Sequence, residues 1–301
     1  MFRYRTALSA IVATGVVKNF TLAHAEEQSS QTQTDAWTQH RATYWHNSQT
    51  GESTWVEPDA AATKPNAGSS AVTGLATGAK WDKNWDKTEA GDEAGKAVHH
   101  IVLIRHGQYC SGTDDDVDRM LTDKGISQSI STGERLKELV DSGRLAPIRR
   151  LYKSTMIRAS QTADLILTAL PPLTEPGQVQ PCSMIREGAC MTPEPNISKA
   201  SWDVTETDFH RDGMRIEAAF RSHIHRAEKD EKSSYTTVLV CHGNVIRYLT
   251  MRALQLDPAA WLRLSVANGS MTILSVYPSG KVSLSVLGDV GHLPTDLITY
   301  N

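Results

Sequence analysis

The sequence predicts an α/β fold built on a mostly parallel sheet. Two short runs rich in Val, Ile and Leu, at 98–104 and 236–241, have the composition and length of buried strands. Each run is followed at once by a histidine and a glycine, His106-Gly107 and His242-Gly243. Strand patterns alternate with helix patterns along this part of the chain, which is typical of a parallel sheet whose strands are joined by helices.

The boundaries of these elements are predicted from capping and turn residues. Thr122 is suited to an N-cap, Asp123 lies in the first turn and Gly143 follows the last turn, which predicts a helix to about 142. A Pro278-Ser279-Gly280 turn separates the last two strands. The other predicted elements are, in order, a strand at 149–153, a helix beginning near 158, a short strand at 182–185, a helix opening at 212, a helix from 244, and strands at 270–277 and 282–287.

Composition limits the classes of function. A chain of 301 residues has room for one domain of about 200 residues plus extensions. The formal net charge of −3 gives no reason to expect a nucleic-acid partner. The four cysteines are widely spaced and contain no CxxC pair, so neither a zinc site nor a disulfide framework is expected.

Three adjacent acids, Asp114, Asp115 and Asp116, follow the first strand and raise the question of a divalent cation. A solvated loop is the preferred interpretation, because acidic side chains near a phosphate site would oppose binding of the anion. No metal is expected.

Residues 1–25 are predicted to be a targeting or membrane-anchor segment. Arg3 and Arg5 precede an uncharged apolar run, and no acidic residue occurs before Glu26. Ala23-His24-Ala25 resembles a secretory cleavage site, while an acidic-poor start with arginines is equally typical of a mitochondrial presequence. The apolar run is shorter than the roughly 20 residues of a comfortable membrane span.

Residues 26–79 have the composition of a largely disordered linker, rich in Ala, Thr, Gly, Ser and Asn. One hairpin is predicted within it, at about 37–58, from aromatic alternation around an Asn-x-x-Thr-Gly turn. It resembles the second half of a WW domain, with Trp37 in the place of the first tryptophan but too close to the hairpin for the usual spacing. Both a groove for proline-rich peptides and a degenerate relic remain open; the groove residues would be Tyr44, Trp45, Trp55 and Pro58.

Polar residues at the predicted strand ends form a candidate anion site. His106 and His242 would leave the sheet at its carboxyl edge, and Arg105 adds a forked, permanent charge suited to phosphate. Arg158 lies in or near the first turn of a predicted helix, where its guanidinium and the free backbone amides both favour an anion. Glu187 follows a short strand, and it is either a proton donor to a leaving oxygen or a surface residue.

These motifs resemble the histidine phosphatase superfamily, which includes the cofactor-dependent phosphoglycerate mutases. The resembling segments are Arg105-His106-Gly107, the Ser-x-x-x-Arg-Ala-x-Gln-Thr-Ala pattern at 154–163, the Arg-Glu-Gly at 186–188 and the His-Gly-Asn-Val-Ile-Arg at 242–247. The resemblance runs from about residue 80 to the end and implies a three-layer α/β sandwich over 97–301.

The same resemblance implies roles for the site residues. His106 would be a nucleophile that forms a phosphohistidine, and Glu187 would protonate the leaving oxygen. Arg105, Arg158 and His242 would hold the phosphate oxygens, with arginine and imidazolium charge in place of a metal. No cofactor is expected.

Within the superfamily, the chain is most similar to mitochondrial Ser/Thr protein phosphatases. That similarity implies phosphoprotein substrates and a mitochondrial location with membrane association through the N-terminus, the secretory pathway being the alternative. Residues 80–87 resemble the motif through which such phosphatases multimerise, with Lys83 in place of a proline. The alternative for this motif is docking on the chain's own catalytic domain; its residues are Trp81, Asp82, Trp85 and Asp86.

Three hypotheses for function follow. The first is a protein Ser/Thr phosphatase assembled into a homo-oligomer through Trp81 and Trp85. The second is a small-metabolite phosphatase or mutase that uses the same residues. The third is a non-enzymatic adaptor built on the hairpin and the tryptophan motif, which would have no need of the complete set of Arg105, His106 and Arg158.

Overall fold

The computed structural model describes residues 37–40, 44–47, 53–54, 81–88, 96–112, 115–173, 177–196 and 204–300, and the chain divides into two units, Met1–Ser70 and Ala71–Asn301. The predicted targeting segment lies outside the described residues. None of the helices within them is long and apolar enough to cross a membrane.

The first unit contains a three-stranded antiparallel sheet. Its strands are β1 (Trp37–His40), β2 (Tyr44–Asn47) and β3 (Ser53–Thr54), and β2 lies in the centre. The predicted hairpin corresponds to β2 and β3, and β1 adds a third strand that the sequence analysis did not assign. Trp55 and Pro58 fall outside the described residues, so the proline-binding groove stays a prediction.

The second unit is built on a six-stranded sheet. Its strands are β4 (His99–Arg105), β5 (Ile148–Ser154), β6 (Val179–Cys182), β7 (Tyr235–Cys241), β8 (Met271–Val276) and β9 (Val282–Asp289). They lie in the order β6-β5-β7-β4-β8-β9. The first four strands in this order are parallel, and β8 and β9 are antiparallel to their neighbours, which confirms a mostly parallel sheet.

Side chains that alternate along the central strands divide the core into two layers. Ile101 and Leu103 of β4 pack on one side of the sheet, whereas Val102 and Ile104 pack on the other. The first side is covered by α3 (Glu206–His223) and α4 (Gly243–Ala253), and the second by α1 (Asp123–Asp141) and α2 (Ile157–Ala169). A strand buried on both faces is apolar at most positions, which explains the nearly continuous Val-Ile-Leu runs. The three-layer sandwich is confirmed.

Helix α1 begins and ends as its capping residues predict. The Thr122 hydroxyl accepts the backbone N–H of Gly125 at 3.2 Å, and the chain leaves the helix through Gly143 at φ +71°. The predicted start of α3 is wrong by about two turns. The helix begins at Glu206, where Thr205 and Asp208 form a reciprocal capping box. The prediction used the amphipathic pattern from Asp212 onwards and did not use this Thr-x-x-Asp pattern.

The predicted strand at 182–185 is also displaced. The strand ends at Cys182, and the chain then makes a short 3-10 turn from Ser183 to Ile185. Pro181 lies inside the strand, which is tolerated because β6 is at the edge of the sheet. The earlier end places the following residues, including Glu187, beyond the carboxyl edge of the sheet.

Parallel pairing aligns the strand ends that carry the predicted site residues. Arg105 lies opposite Cys241 in the register of β4 and β7, so His106 and His242 leave adjacent strands at the same level. Lys153 of β5 lies opposite Val240 on the other side of β7, which places Ser154 beside them. The crevice beyond this edge is where open α/β sheets bind ligands.

Candidate active site

His106 directly follows β4 and is almost completely buried, with 2% of its surface exposed. Its backbone N–H donates to the carbonyl of Cys241 at 3.0 Å, and its ring Nδ1 lies 2.8 Å from the carbonyl oxygen of Gly107. Because a carbonyl oxygen only accepts hydrogen bonds, Nδ1 carries the proton and Nε2 presents its lone pair. Nε2 is therefore the atom of this ring that is available for nucleophilic attack.

Arg158, in the first turn of α2, faces that lone pair. Its Nε–H donates to His106 Nε2 at 3.2 Å. The guanidinium carbon also lies 4.6 Å from the centre of the Tyr109 ring, and the Tyr109 and His106 rings meet edge to face at 5.2 Å between centres. Stacking on an aromatic face and a hydrogen bond to the imidazole together fix the direction of the guanidinium.

Asp115 is exposed, as a solvated acidic loop predicts, but Asp116 is only partly exposed and binds Arg158. One carboxylate oxygen accepts from Arg158 Nη1 at 3.2 Å, and the other accepts the backbone N–H of Ile157 at 3.1 Å. The predicted solvated loop was based only on the repulsion between an aspartate and a bound phosphate. The N-terminus of α2 and its arginine attract a carboxylate from the chain for the same reason that they attract phosphate.

His242 follows β7 and has no exposed surface, and its ring centre is 5.0 Å from that of His106. Its Nε2 lies 2.8 Å from the Ser154 hydroxyl. Because that hydroxyl oxygen also accepts the backbone N–H of Met156 at 3.3 Å, we assign its own proton to the hydrogen bond with Nε2. Nδ1 of His242 then carries a proton and, within the described part of the chain, it is buried without a hydrogen-bond partner. Such a donor is suited to a phosphate oxygen.

Ser154 is a site residue that the sequence analysis did not identify. It is fully buried, and it ends β5 four residues before Arg158. The available signal was its place as the first residue of the Ser-x-x-x-Arg pattern, which was used only to locate the arginine.

Arg105, the last residue of β4, is half-buried against the start of α4. Its Nη1 donates to the carbonyl oxygens of Val266 at 2.8 Å and Tyr300 at 3.4 Å. Burial lowers the pKa of Arg105, whereas the nearby carboxyl of Glu187 raises it. An arginine begins from so high a pKa that the group stays charged.

Glu187 lies beyond the end of β6, near the guanidinium groups of Arg158 and Arg105. The Gly188 backbone N–H donates to its Oε1 at 3.1 Å, and the backbone amide of Asn244 at the start of α4 also lowers the pKa of the carboxyl. Burial raises the pKa of Glu187 above its usual range, and the hydrogen bonds and the charges of Arg158 and Arg105 offset only part of this effect. The carboxyl group therefore keeps its proton to a higher pH than a solvated glutamate.

Both imidazoles are uncharged near neutral pH. Burial, with the charges of Arg158 and Arg105, holds the pKa of His106 well below its usual range. The pKa of His242 is also held well below its usual range by burial, by His106 and by the same arginines. The expectation of an imidazolium in place of a metal is corrected: the positive charge of the site comes from guanidinium groups.

The structure brings together the predicted residues from four separate elements. Within the part of the chain that the structure describes, no group of three or more His, Cys, Asp or Glu side chains is placed to hold a metal ion.

The family model described as histidine phosphatase superfamily (branch 1) matches residues 101–288, which is more than half of the chain. The chain belongs to the histidine phosphatase superfamily.

Curated relatives agree with this assignment. The protein named serine/threonine-protein phosphatase Pgam5, mitochondrial, from Drosophila pseudoobscura pseudoobscura is 44% identical over 204 residues, which is 68% of this chain and 68% of that protein. The protein of the same name from Drosophila virilis is 44% identical over 206 residues, with the same coverage of 68% and 68%. The chain is a phosphatase.

Two solved structures are also similar to this chain. A phosphoglycerate mutase from Plasmodium falciparum is 28% identical with a TM-score of 0.44, and the match covers 68% of this chain and 99% of that one. An alpha-ribazole phosphatase from Shigella flexneri is 18% identical with a TM-score of 0.45, covering 63% and 96%.

The tryptophan motif, residues 81–86, packs on its own phosphatase domain. Trp81 and Trp85 are half-buried against the core cluster on the α3 side of the sheet. The Trp85 indole N–H donates to the Gly280 carbonyl at 2.8 Å, and its ring centre lies 5.6 Å from that of Phe220. Gly280 lies so close to the motif that a Cβ there would be 2.2 Å from the Lys83 carbonyl oxygen.

A buried ion pair joins the motif to the domain. The side chains of Asp86 and Arg226 are only 2% and 3% exposed. The Arg226 backbone N–H and Nε both donate to Asp86 Oδ2 at 2.9 Å, and Arg226 Nη2 donates to Asn84 Oδ1 at 3.1 Å. Asp82 stays exposed, and its backbone N–H donates to Gln255 Oε1 at 2.9 Å. This arrangement is the docking on the chain's own domain that the sequence analysis kept as the alternative to multimerisation.

Proposed function

We propose that this phosphatase hydrolyses phosphoserine and phosphothreonine in proteins through a phosphohistidine at His106. One observation carries the proposal: His106 is buried and uncharged, its Nδ1–H is held by the Gly107 carbonyl, and its Nε2 lone pair faces Arg158. A ring held in this way has one nucleophilic atom, directed at the group that would bind phosphate. The names of the relatives at 44% identity support Ser and Thr as the phosphorylated residues.

In the first step, His106 Nε2 attacks phosphorus in line with the Ser or Thr oxygen. The N–P bond forms as the P–O bond breaks, and the proton held by Glu187 passes to the leaving oxygen. The imidazole becomes positively charged, and its Nδ1–H strengthens the hydrogen bond to the Gly107 carbonyl. A pKa above the usual range of glutamate favours the protonated carboxyl that this step needs.

In the second step, water attacks the phosphohistidine. Glu187, now a carboxylate, takes a proton from the water as the N–P bond breaks and inorganic phosphate forms. His106 returns to its uncharged form, and Glu187 is again protonated. The enzyme ends the cycle as it began.

Three groups bind the phosphate oxygens in both steps. Arg158 exchanges the imidazole Nε2 for a phosphate oxygen, and Arg105 adds a second guanidinium from the end of β4. His242 contributes the Nδ1–H that has no partner among the described residues. Donors that are fixed before the reaction stabilise the charge spread over the equatorial oxygens in a loose transition state.

Mitochondrial location and membrane association through residues 1–25 belong to the same proposal. The names of the relatives support the location, and the arginine-containing, acidic-poor N-terminal segment is consistent with it. Import of the full chain into isolated mitochondria, followed by carbonate extraction, tests both. A chain that lacks residues 2–25 should not be imported; equal import of both chains would contradict the role of the segment.

Self-assembly through the tryptophan motif is the remaining part of the proposal. An exchanged motif from a second copy would make the same contacts with Phe220, Arg226 and Gly280 that the motif makes with its own domain. Light scattering of the full chain at several concentrations, with phosphatase rates measured in parallel, tests it. Particle mass and specific activity should rise together in the native chain and stay low in a Trp81→Ala, Trp85→Ala variant. Particles of one size at all concentrations would contradict assembly.

The intermediate is tested directly by rapid-quench experiments with a phosphothreonine peptide labelled with ³²P. Acid-labile, base-stable protein label should appear within one turnover and be absent from His106→Ala. His100→Gln is a matched control, since His100 lies on the same strand but is bound to Ser275 at 2.9 Å, away from the carboxyl edge. Label retained in His106→Ala would refute the nucleophile. Turnover of phosphorylated metabolites without any peptide turnover would refute the substrate class.

A further inference from the structure

Residues 183–190, called the acid loop here, carry Glu187 outside the sheet. One side chain of α3 holds most of this loop: Arg215 Nη1 donates to the carbonyls of Met184 and Arg186, both at 2.8 Å, and its Nη2 donates to the Glu187 carbonyl at 3.2 Å. A planar guanidinium that binds several carbonyls at once fixes their relative positions, which a lysine cannot do.

Asp212, one turn earlier on α3, completes the contact. Its Oδ1 accepts from Arg215 Nη2 at 3.3 Å, and its Oδ2 accepts the backbone N–H of Ala189 at 3.1 Å. Both side chains are largely shielded from solvent, at 13% exposed for Asp212 and 22% for Arg215. Arg215 therefore binds the carbonyl of Glu187 and carbonyls before it in the acid loop. Asp212 binds a backbone N–H after Glu187.

Two glycines allow this close approach. A Cβ at Gly188 would lie 2.5 Å from Asp212 Oδ2 and 2.6 Å from Arg215 Nη2. A Cβ at Gly213, on the same turn of α3, would lie 2.5 Å from the Cys190 carbonyl oxygen. Neither glycine position has room for a side chain, because the acid loop and α3 are in close contact. The acid loop therefore has little room to move relative to α3.

We propose that Arg215 and Asp212 are positioning residues that set where the Glu187 carboxyl meets the leaving oxygen. The inference rests on the proposed role of Glu187 as the general acid. Among the described residues, neither side chain forms a hydrogen bond with His106, Arg158 or His242. Their effect passes through the backbone of the acid loop, and a shift of the carboxyl by a fraction of an ångström lengthens the path of the transferred proton.

The leaving group distinguishes positioning of the acid from general support of the fold. A Ser or Thr oxygen leaves as a poor alkoxide unless it is protonated, whereas p-nitrophenolate leaves readily as an anion. A misplaced acid therefore slows turnover of a phosphothreonine peptide far more than turnover of p-nitrophenyl phosphate. A fold defect slows both substrates alike.

The test compares Arg215→Lys and Asp212→Asn with the native enzyme on both substrates. We expect kcat for the phosphothreonine peptide to fall about 10- to 100-fold, which is less than the roughly 10²- to 10⁴-fold that a general acid contributes because the acid is misplaced and not removed. We expect kcat for p-nitrophenyl phosphate to fall less than about threefold. Arg221→Lys is the matched control: Arg221 lies on the same helix and pairs with Glu217 at 3.0 Å, away from the acid loop, and should leave both rates unchanged.

Glu187→Gln is the reference variant, and it separates the two possible failures. In combination with Glu187→Gln, Arg215→Lys should add less than about twofold, because the acid that it positions has been removed. Equal loss on both substrates, or additive losses in the double variant, would overturn the positioning role. If Glu187→Gln itself shows no dependence on the leaving group, the general acid of the proposed function fails instead.

Discussion

The ion pair between Asp86 and Arg226 is predicted to decide whether the tryptophan motif stays on the phosphatase domain. In Asp86→Asn, the Arg226 guanidinium would remain 3% exposed without its carboxylate. Breaking a buried pair from one side costs about 3–5 kcal/mol if the geometry is kept. If the motif detaches from the domain, Arg226 is hydrated again and the cost of an unpaired buried charge is not incurred. The destabilisation by Asp86→Asn therefore cannot exceed the free energy of docking.

That docking free energy is only a few kcal/mol. Two half-buried indoles contribute roughly 1–2 kcal/mol each by burial of apolar surface, and the hydrogen bond from Trp85 to Gly280 adds about 1 kcal/mol. Loss of about 3 kcal/mol, or roughly 100-fold in the docking constant, is enough to release residues 81–88. Asp82→Asn is the matched control because Asp82 is exposed and its carboxylate accepts only a local hydrogen bond from the Asn84 N–H, at 2.7 Å.

Amide hydrogen exchange of the motif is the assay. The N–H groups of Asp82 and Lys87, which donate to Gln255 and Asn84 in the docked form, should lose about 100-fold in protection in Asp86→Asn and change little in Asp82→Asn. Dilution should leave native protection unchanged if the contact is within one chain, and reduce it if the motif is exchanged. Native-like protection in Asp86→Asn, or equal effects of the two variants, would refute the role of the ion pair.

The pH dependence of docking follows from the same contact. Burial raises the pKa of Asp86, but the hydrogen bonds and charge of Arg226 more than offset it, so the net pKa lies below its usual range. A lowered pKa in the docked form means that docking is complete above the ordinary carboxyl pKa and weakens as pH falls through the lowered value.

Three further predictions concern the active site. Ser154→Ala should move the proton of His242 from Nδ1 to Nε2, seen in ¹⁵N histidine spectra, and weaken phosphate inhibition; an unchanged tautomer would contradict the assigned hydrogen bond. Asp116→Asn should tighten inhibition by inorganic phosphate by about 1 kcal/mol, or roughly fivefold, since the carboxylate no longer competes for Arg158; weaker inhibition would instead make Asp116 a support for the arginine. Because the pKa of Glu187 is raised, kcat for a phosphothreonine peptide should be maintained below that pKa and fall as pH rises through it, and this alkaline limb should be absent from Glu187→Gln.

Local patterns were sufficient for the central strands, both ends of α1 and the identity of the central residues. A strand buried on both faces is apolar at most positions, so β4 and β7 are visible as nearly continuous runs, and His106 and His242 follow directly from their ends. Thr122 and Gly143 mark α1 because caps act over three or four residues. Arg158 was placed by the strand-to-helix transition that precedes it.

Long-range contacts were beyond the reach of these patterns. Asp86 and Arg226 are 140 residues apart, Ser154 and His242 are 88 apart, and Arg158 and Asp116 are 42 apart. Spacing and composition show that a side chain is charged or polar, but its partner depends on which surfaces the packed sheet and helices bring together. The contact of Asp116 was missed for this reason: the helix N-terminus that attracts its carboxylate is formed by a different segment.

The sequence by itself thus determined the fold class, the mostly parallel sheet and the chemical type of the site, because each depends on periodicity or on residues adjacent in the chain. Only the tertiary structure decided the tautomer of His106, the hydrogen bond that orients His242, the contact of Arg215 with the acid loop and the surface on which Trp85 packs. Each of these requires atoms from distant segments to meet within hydrogen-bond or van der Waals distance, and no local pattern encodes that distance.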